Sequence, residues 1–157
     1  MKSQLSIAVE LADSAHKYQM YGEFPYMVHL FQVDRMVIHA YTDKNRSNSD
    51  SYSKEPCDEV DCLRAIAYLH DIIEDQGFTR GKLYRAGLIS EVVGAVYAMS
   101  KREGESYNTY IDRVISNNLA RKVKLCDTSA NLMNSIKDGN VKRINKYSKQ
   151  LQLLGGF

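Results

Sequence analysis

Proline is nearly absent, with two in 157 residues, and glycine is held to nine. So few breakers leave room for long helices. Cysteine is equally scarce. Cys57, Cys62 and Cys126 form neither an even set nor a C-x2-C zinc spacing, which excludes a disulfide scaffold or a cysteine-rich metal site. Reduced thiols are expected, with a Cys57–Cys62 bridge as the alternative. No apolar run approaches the length of a membrane span. The start, Met1-Lys2-Ser3-Gln4, soon meets Glu10 and Asp13 and lacks a signal-peptide core, so a cytoplasmic location is expected. Neither charge sign dominates: 21 Lys and Arg face 19 Asp and Glu. That balance gives no electrostatic case for wrapping a nucleic-acid polymer.

What is present is ordinary for a globular chain, 44% apolar and 25% charged, and its length suits a single domain, 1–157. Leu5, Ala8, Leu11, Ala12, Ala15 and Tyr18 recur at three-and-four spacing and mark the buried face of a first helix. Gly22, Phe24 and Pro25 form a turn before a second helix, about Met27 to Tyr41. Residues 42–55 are Asn, Ser, Asp and Lys with almost nothing apolar, and read as a polar surface loop. Asp58 to Glu74 is apolar on more than one face, the mark of a central helix. Thr79 caps a short helix. Leu88–Ser100, a helix capped by Ser106, Ala120–Met133 and Val141–Leu154 follow. No strand alternation stands out, and the Gly155-Gly156-Phe157 tail reads as frayed. The expectation is all-α, a bundle of about seven to eight helices.

The chemistry lies in the histidines and carboxylates. His70 and Asp71 sit deep in the most apolar helix, where unpaired ionisable groups are costly. Glu74 and Asp75 each follow one turn later, on roughly the same face. One imidazole and three carboxylates then share a small volume, and a divalent cation is the usual remedy for such repulsion. Taken alone, His70 could be a satisfied core histidine and Glu74-Asp75 a solvated helix end. Two further segments shift that balance. Pro25-Tyr26-Met27-Val28-His29 places a histidine in the first turn of a helix. Val123-Lys124-Leu125-Cys126-Asp127 places an aspartate inside an apolar helix, with Asn131 one turn on. Two histidines and two aspartates from three helices suit Mn, Fe or another first-row divalent ion better than a structural zinc. Such an ion acidifies a bound water and polarises a phosphoryl oxygen.

The blocks Ala15-His16, Gln19, Gly22, Pro25-Tyr26 and His29, then Leu69-His70-Asp71, Glu74 and Asp75, then Lys124-Leu125-Cys126-Asp127 and Asn131 occur in an order that resembles the hydrolase domain of RelA/SpoT-type enzymes. The likeness runs from about residue 8 to residue 133. It implies an HD-type helical fold and one divalent ion, Mn2+, on His29, His70, Asp71 and Asp127. It also implies hydrolysis of the 3′-pyrophosphate of (p)ppGpp, with Glu74 and Asp75 as the catalytic acidic pair. Asn131 matches a nucleotide contact, while Lys124, Tyr26 and Tyr107 are candidates for the pocket wall. Gln19-Met20-Tyr21-Gly22 stands where the family carries a basic residue, so a different nucleotide or nucleoside phosphate is the alternative substrate. A non-catalytic nucleotide-sensing module is the alternative role. His16 reads as packing or as support for a ligand, His39 as an ordinary helix residue, Cys126 as core, and Lys101-Arg102 as a solvated turn.

Overall fold

A computed structural model describes residues 2–42 and 58–155. The polar stretch expected at 42–55 lies outside the described residues apart from Thr42, as do Cys57 and the last two residues of the tail.

Nine helices form among the described residues: α1 (Gln4–Ala15), α2 (Tyr26–Tyr41), α3 (Glu59–Leu69), α4 (Ile72–Gln76), α5 (Arg80–Arg85), α6 (Ser90–Met99), α7 (Tyr107–Ser116), α8 (Asn118–Lys137) and α9 (Val141–Leu153). A two-residue hairpin, β1 (Met20–Tyr21) and β2 (Phe24–Pro25), pairs antiparallel between α1 and α2. The all-helical expectation holds. Thr79 and Ser106 start helices where the sequence suggests, accepting the amides of Lys82 and Thr109, and Ser3 does the same for α1 by accepting the Ser6 amide. Asn117 does more than end α7. Its side chain accepts from the Ala120 amide and opens α8.

The centre is α3, which packs against α1, α2, α6 and α8. Cys62, Leu63, Ala65, Ile66, Ala67, Tyr68 and Leu69 are all buried, so its apolar surround is explained by neighbours on several sides. An ion pair ties it to α2: Arg64 Nε and Nη2 donate to the two Asp34 carboxylate oxygens at 2.7 and 3.1 Å. Asp34 is buried, so this forked bond satisfies a charge that would otherwise be costly.

The structure corrects four expectations. The long helix from Asp58 to Glu74 is broken at His70–Asp71. His70 Nδ1 donates to the Ala67 carbonyl at 2.7 Å, the acceptor that an uninterrupted helix offers to the amide four residues on. Asp71 then takes φ −104°, ψ 0°, and α4 restarts for five residues before Gly77 closes it at φ 63°. The second correction is Tyr18, which is 87% exposed because α1 stops at Ala15 and the buried stripe ends with it. Third, the hairpin is too short for a period-two pattern to reveal; Gly22 makes its turn at φ 60°. Fourth, Cys62 is disulfide-bonded, against the expectation of reduced thiols, whereas Cys126 is a free buried thiol. No helix is long and apolar enough to cross a membrane among the described residues.

Because Leu63 is fully buried at the point where α3 meets its neighbours, Leu63→Ala should cost about 3 kcal/mol of stability. Tyr18→Ser, on an exposed ring, should cost less than about 0.5 kcal/mol. Urea unfolding of the two variants checks the contrast; equal losses would place the core elsewhere.

Candidate metal and anion site

Three helices deliver the site. The hairpin ends where the Tyr26 amide donates to the Gln19 carbonyl at 2.9 Å, which starts α2 and sets His29 in its first turn. The break after α3 turns His70 and Asp71 toward the same point. On α8, Lys124, Asp127 and Asn131 fall on one face at spacings of three and four.

His29, His70 and Asp71 each bring one donor atom within 4.8 Å of the others. Asp127 stands beside them, with Oδ1 3.1 Å from His29 Nε2 and 3.5 Å from His70 Nε2. Its second oxygen accepts from Lys124 Nζ at 2.9 Å, and Asn131 Nδ2 donates to Oδ1 at 2.8 Å. Tyr26 donates its hydroxyl to Asp71 Oδ2.

The histidines carry the most informative feature. With Nδ1 committed to the Ala67 carbonyl, His70 directs Nε2 into the cluster. Asp71 Oδ2 is 2.9 Å away, yet no oxygen meets that nitrogen at hydrogen-bonding angles, and the atom is fully buried. His29 Nδ1 is likewise buried without a partner. Buried polar atoms are nearly always satisfied, so each orphan asks for something to bind. The donor chemistry, two imidazoles and one carboxylate in reach with a second carboxylate adjacent, fits a first-row divalent cation.

Charge balance in the cluster points the same way. Burial disfavours the His70 imidazolium, but Asp71 and Asp127 outweigh it and raise the group well above its ordinary value. Burial pushes the Asp71 carboxyl up, and the His70 charge beside it reverses this to about 2. Asp127 is also enclosed, and Lys124 and His70 hold it well below the usual carboxylate range. Burial and then Asp71 raise the Tyr26 phenol, which therefore stays protonated and donating. The two carboxylates are ionised and draw positive charge from every available neighbour.

Above the cluster is a cavity of about 270 Å³. Of the expected residues, Tyr26, His29, Asp71, Lys124, Asp127 and Asn131 line it. His70 lies behind the wall. Glu74 and Asp75 are exposed and are not on it: Glu74 accepts the Lys101 amide, and Asp75 accepts from Gln19 Nε2 at 2.8 Å. Burial is the largest influence on Glu74 and raises its carboxyl, with Asp71 and Asp75 adding to the rise. Tyr107 sits one residue back, its hydroxyl accepting from Gln150 Nε2 at 2.8 Å.

Sequence reasoning missed four wall residues, Tyr21, Lys146, Tyr147 and Gln150. Tyr21 stacks on His29, ring centroids 4.6 Å apart, and donates to Asn131 Oδ1 at 2.8 Å. The other three come from α9, which reads in sequence only as the last helix of the set. Its one signal is the spacing of Lys146, Tyr147 and Gln150, which share a face. His16 is fully buried, stacked on Tyr26 and bonded to Gln19, a supporting position rather than one in the cluster.

A scan of protein-family models gives no match to this chain, and no curated protein matches it either.

The turn that carries Lys101 is held by Arg113, which donates to the Ala98 and Ser100 carbonyls at 3.2 and 2.8 Å and clasps Glu105. That pairing depresses the Glu105 carboxyl to about 2, below its ordinary 4.5. The folded state therefore binds fewer protons than the unfolded one between those values. The stabilisation is complete above about pH 4.5 and is lost as pH falls toward 2. Glu105→Gln should melt below the wild type at pH 7, with the gap narrowing between about pH 4.5 and 3. Thermal melts across that range test it; a gap independent of pH would sink the assignment.

Proposed function

We propose that the chain is a metal-dependent phosphohydrolase acting on a nucleotide, with the 3′-pyrophosphate of (p)ppGpp as first substrate. The observation that carries this is the buried, unpartnered His70 Nε2 facing two ionised carboxylates, with His29 beside it, at a cavity that also presents two lysines. The likeness to RelA/SpoT-type hydrolase domains supplies the HD assignment and the substrate.

His29, His70, Asp71 and Asp127 would hold one divalent cation, Mn2+ by the resemblance. Such an ion contributes Lewis acidity toward phosphoryl oxygen and an acidified water. The protein's own groups do the rest. Lys124 and Lys146 on the cavity wall are placed to meet phosphate oxygens. Asn131 and Tyr21 form a polar edge for the nucleotide, with the Tyr147 ring beside them. Tyr26 fixes the orientation of Asp71, and Asn131 does the same for Asp127. Glu74 and Asp75 are the acidic pair that takes and returns the proton.

A second reading has its own support. Glu74 and Asp75 both lie off the cavity wall with their carboxylates engaged, which favours a module that binds a nucleotide without turning it over.

Release of phosphate or pyrophosphate from a nucleotide panel including ppGpp, with Mn2+ and with EDTA, separates the readings. Mn-dependent loss of the 3′-pyrophosphate is the expected result. Hydrolysis of other nucleotides alone would discard the alarmone, and bound metal with no turnover would favour the sensor. Asp127→Ala should lose metal retention and activity together. Glu74→Gln should keep the metal and lose about 10²-fold in rate. Wild-type metal content in Asp127→Ala, measured by elemental analysis, would count against the ligand set.

A further inference from the structure

A second hollow, of about 610 Å³, lies against α4, α5 and α6 and shares no wall residue with the cavity over Asp127. Ile73, Phe78, Arg80, Tyr84 and Tyr97 are among its walls. Its size falls in the range that encloses small ligands. Tyr84 is 48% exposed, a large ring left uncovered at the rim.

Arg80 lines it, and two more cations stand against its aromatic walls. Arg80 Cζ is 4.5 Å and Arg102 Cζ 4.6 Å from the same Tyr97 ring centroid, and Lys82 Nζ is 5.3 Å from that of Phe78. Stacking occupies the flat face of a guanidinium and leaves its N–H edge free to bind. Among the described residues, none of these three cations forms an ion pair with a carboxylate. Glu105, which accepts from the Arg102 backbone amide, has its carboxylate clasped by Arg113 instead. Glu74 on α4 is engaged by the Lys101 amide. Two guanidinium groups sharing one ring are like charges, and an anion beside them relieves their repulsion. Arg102 therefore does more than the solvated turn that the sequence suggests.

We infer that this hollow is a second binding site, for a nucleoside phosphate. Guanidinium edges suit phosphate oxygens in a fork, and exposed Tyr84 with Phe78 offers flat surface to a base. A hollow of this size suits a small molecule rather than a polymer. The inference does not depend on the hydrolase reading, since neither cation nor aromatic here belongs to the His–Asp cluster. The ligand would nonetheless sit beside Ile73 and Arg102, neighbours in sequence of Glu74 and Lys101.

The test is a proton–nitrogen correlation spectrum titrated with ADP in EDTA, so that no turnover intervenes. Saturable shifts are expected at the amides of residues 78–84 and 97–102. The double variant Arg80→Gln, Arg102→Gln should weaken the affinity at least tenfold, with spectral dispersion reporting an intact fold. Tyr84→Ala, which leaves the charge unchanged, should weaken it as well. Shifts confined to Tyr21, Asp127 and Lys146, or an unaltered affinity in the double variant, would overturn the site, as would no response to millimolar ADP. Pyrophosphate binding as tightly as ADP would overturn the nucleoside class.

Discussion

The constraint on which the rest depends is the enclosure of two carboxylates, Asp71 and Asp127, at the edge of an apolar bundle. Ionised groups in such a place need partners, and the neighbouring elements supply them: Tyr26 from α2, Lys124 and Asn131 from α8, His70 from the end of α3. Those partners do not complete the set. His70 Nε2 remains buried and unsatisfied beside Asp71 and an Asp127 that already holds Lys124, and His29 Nδ1 is buried without a partner as well. A bundle stabilised for its own sake would fill this volume with leucine. Keeping ionisable groups there, with orphans among them, is the pattern of a site.

The fold accommodates the cluster by local departures from regularity. An unbroken helix through His70 would have carried Asp71 around the axis, away from His29. The side-chain bond from His70 to Ala67 interrupts the ladder at that point, and α4 restarts beyond the break with Glu74 and Asp75. At the other side of the site, the hairpin between α1 and α2 brings Tyr21 over His29, a contact that neither helix could make. Both devices are short, and both lie next to expected ligands.

That locality explains what was legible. Helix faces and the central position of α3 could be read because burial persists over two turns or more, as the run from Cys62 to Leu69 shows. The segments bearing His29, His70-Asp71 and Asp127 could be read because ionisable residues in apolar runs are rare and demand an explanation. The break at His70 could not, since periodicity does not register a side chain competing for a carbonyl. Tyr18 continued the spacing of α1 past the point where backbone hydrogen bonding stops. Lys146, Tyr147 and Gln150 were hidden for a different reason. On a basic amphipathic helix, residues facing a cavity have the same composition as residues facing water, and only tertiary packing of α9 on α8 tells them apart.

The engagement of Glu74 and Asp75 bears on the proposed catalysis through its magnitude. A hydrogen bond to a charged carboxylate contributes about 1.5–3 kcal/mol when enclosed, and exposed groups such as these fall toward or below the lower figure. Every 1.4 kcal/mol is a factor of about ten in population. Freeing either carboxylate to turn toward the cavity therefore lowers the competent population by roughly one order of magnitude, not by the many orders that separate an enzyme from an inert binder. The tethers differ in kind as well. Glu74 is held by a backbone amide of the turn that Arg113 fixes, whereas Asp75 is held by the side chain of Gln19, which can rotate. Of the two acids, Asp75 has the more mobile tether, and Glu74 is the one whose position is set by the fold.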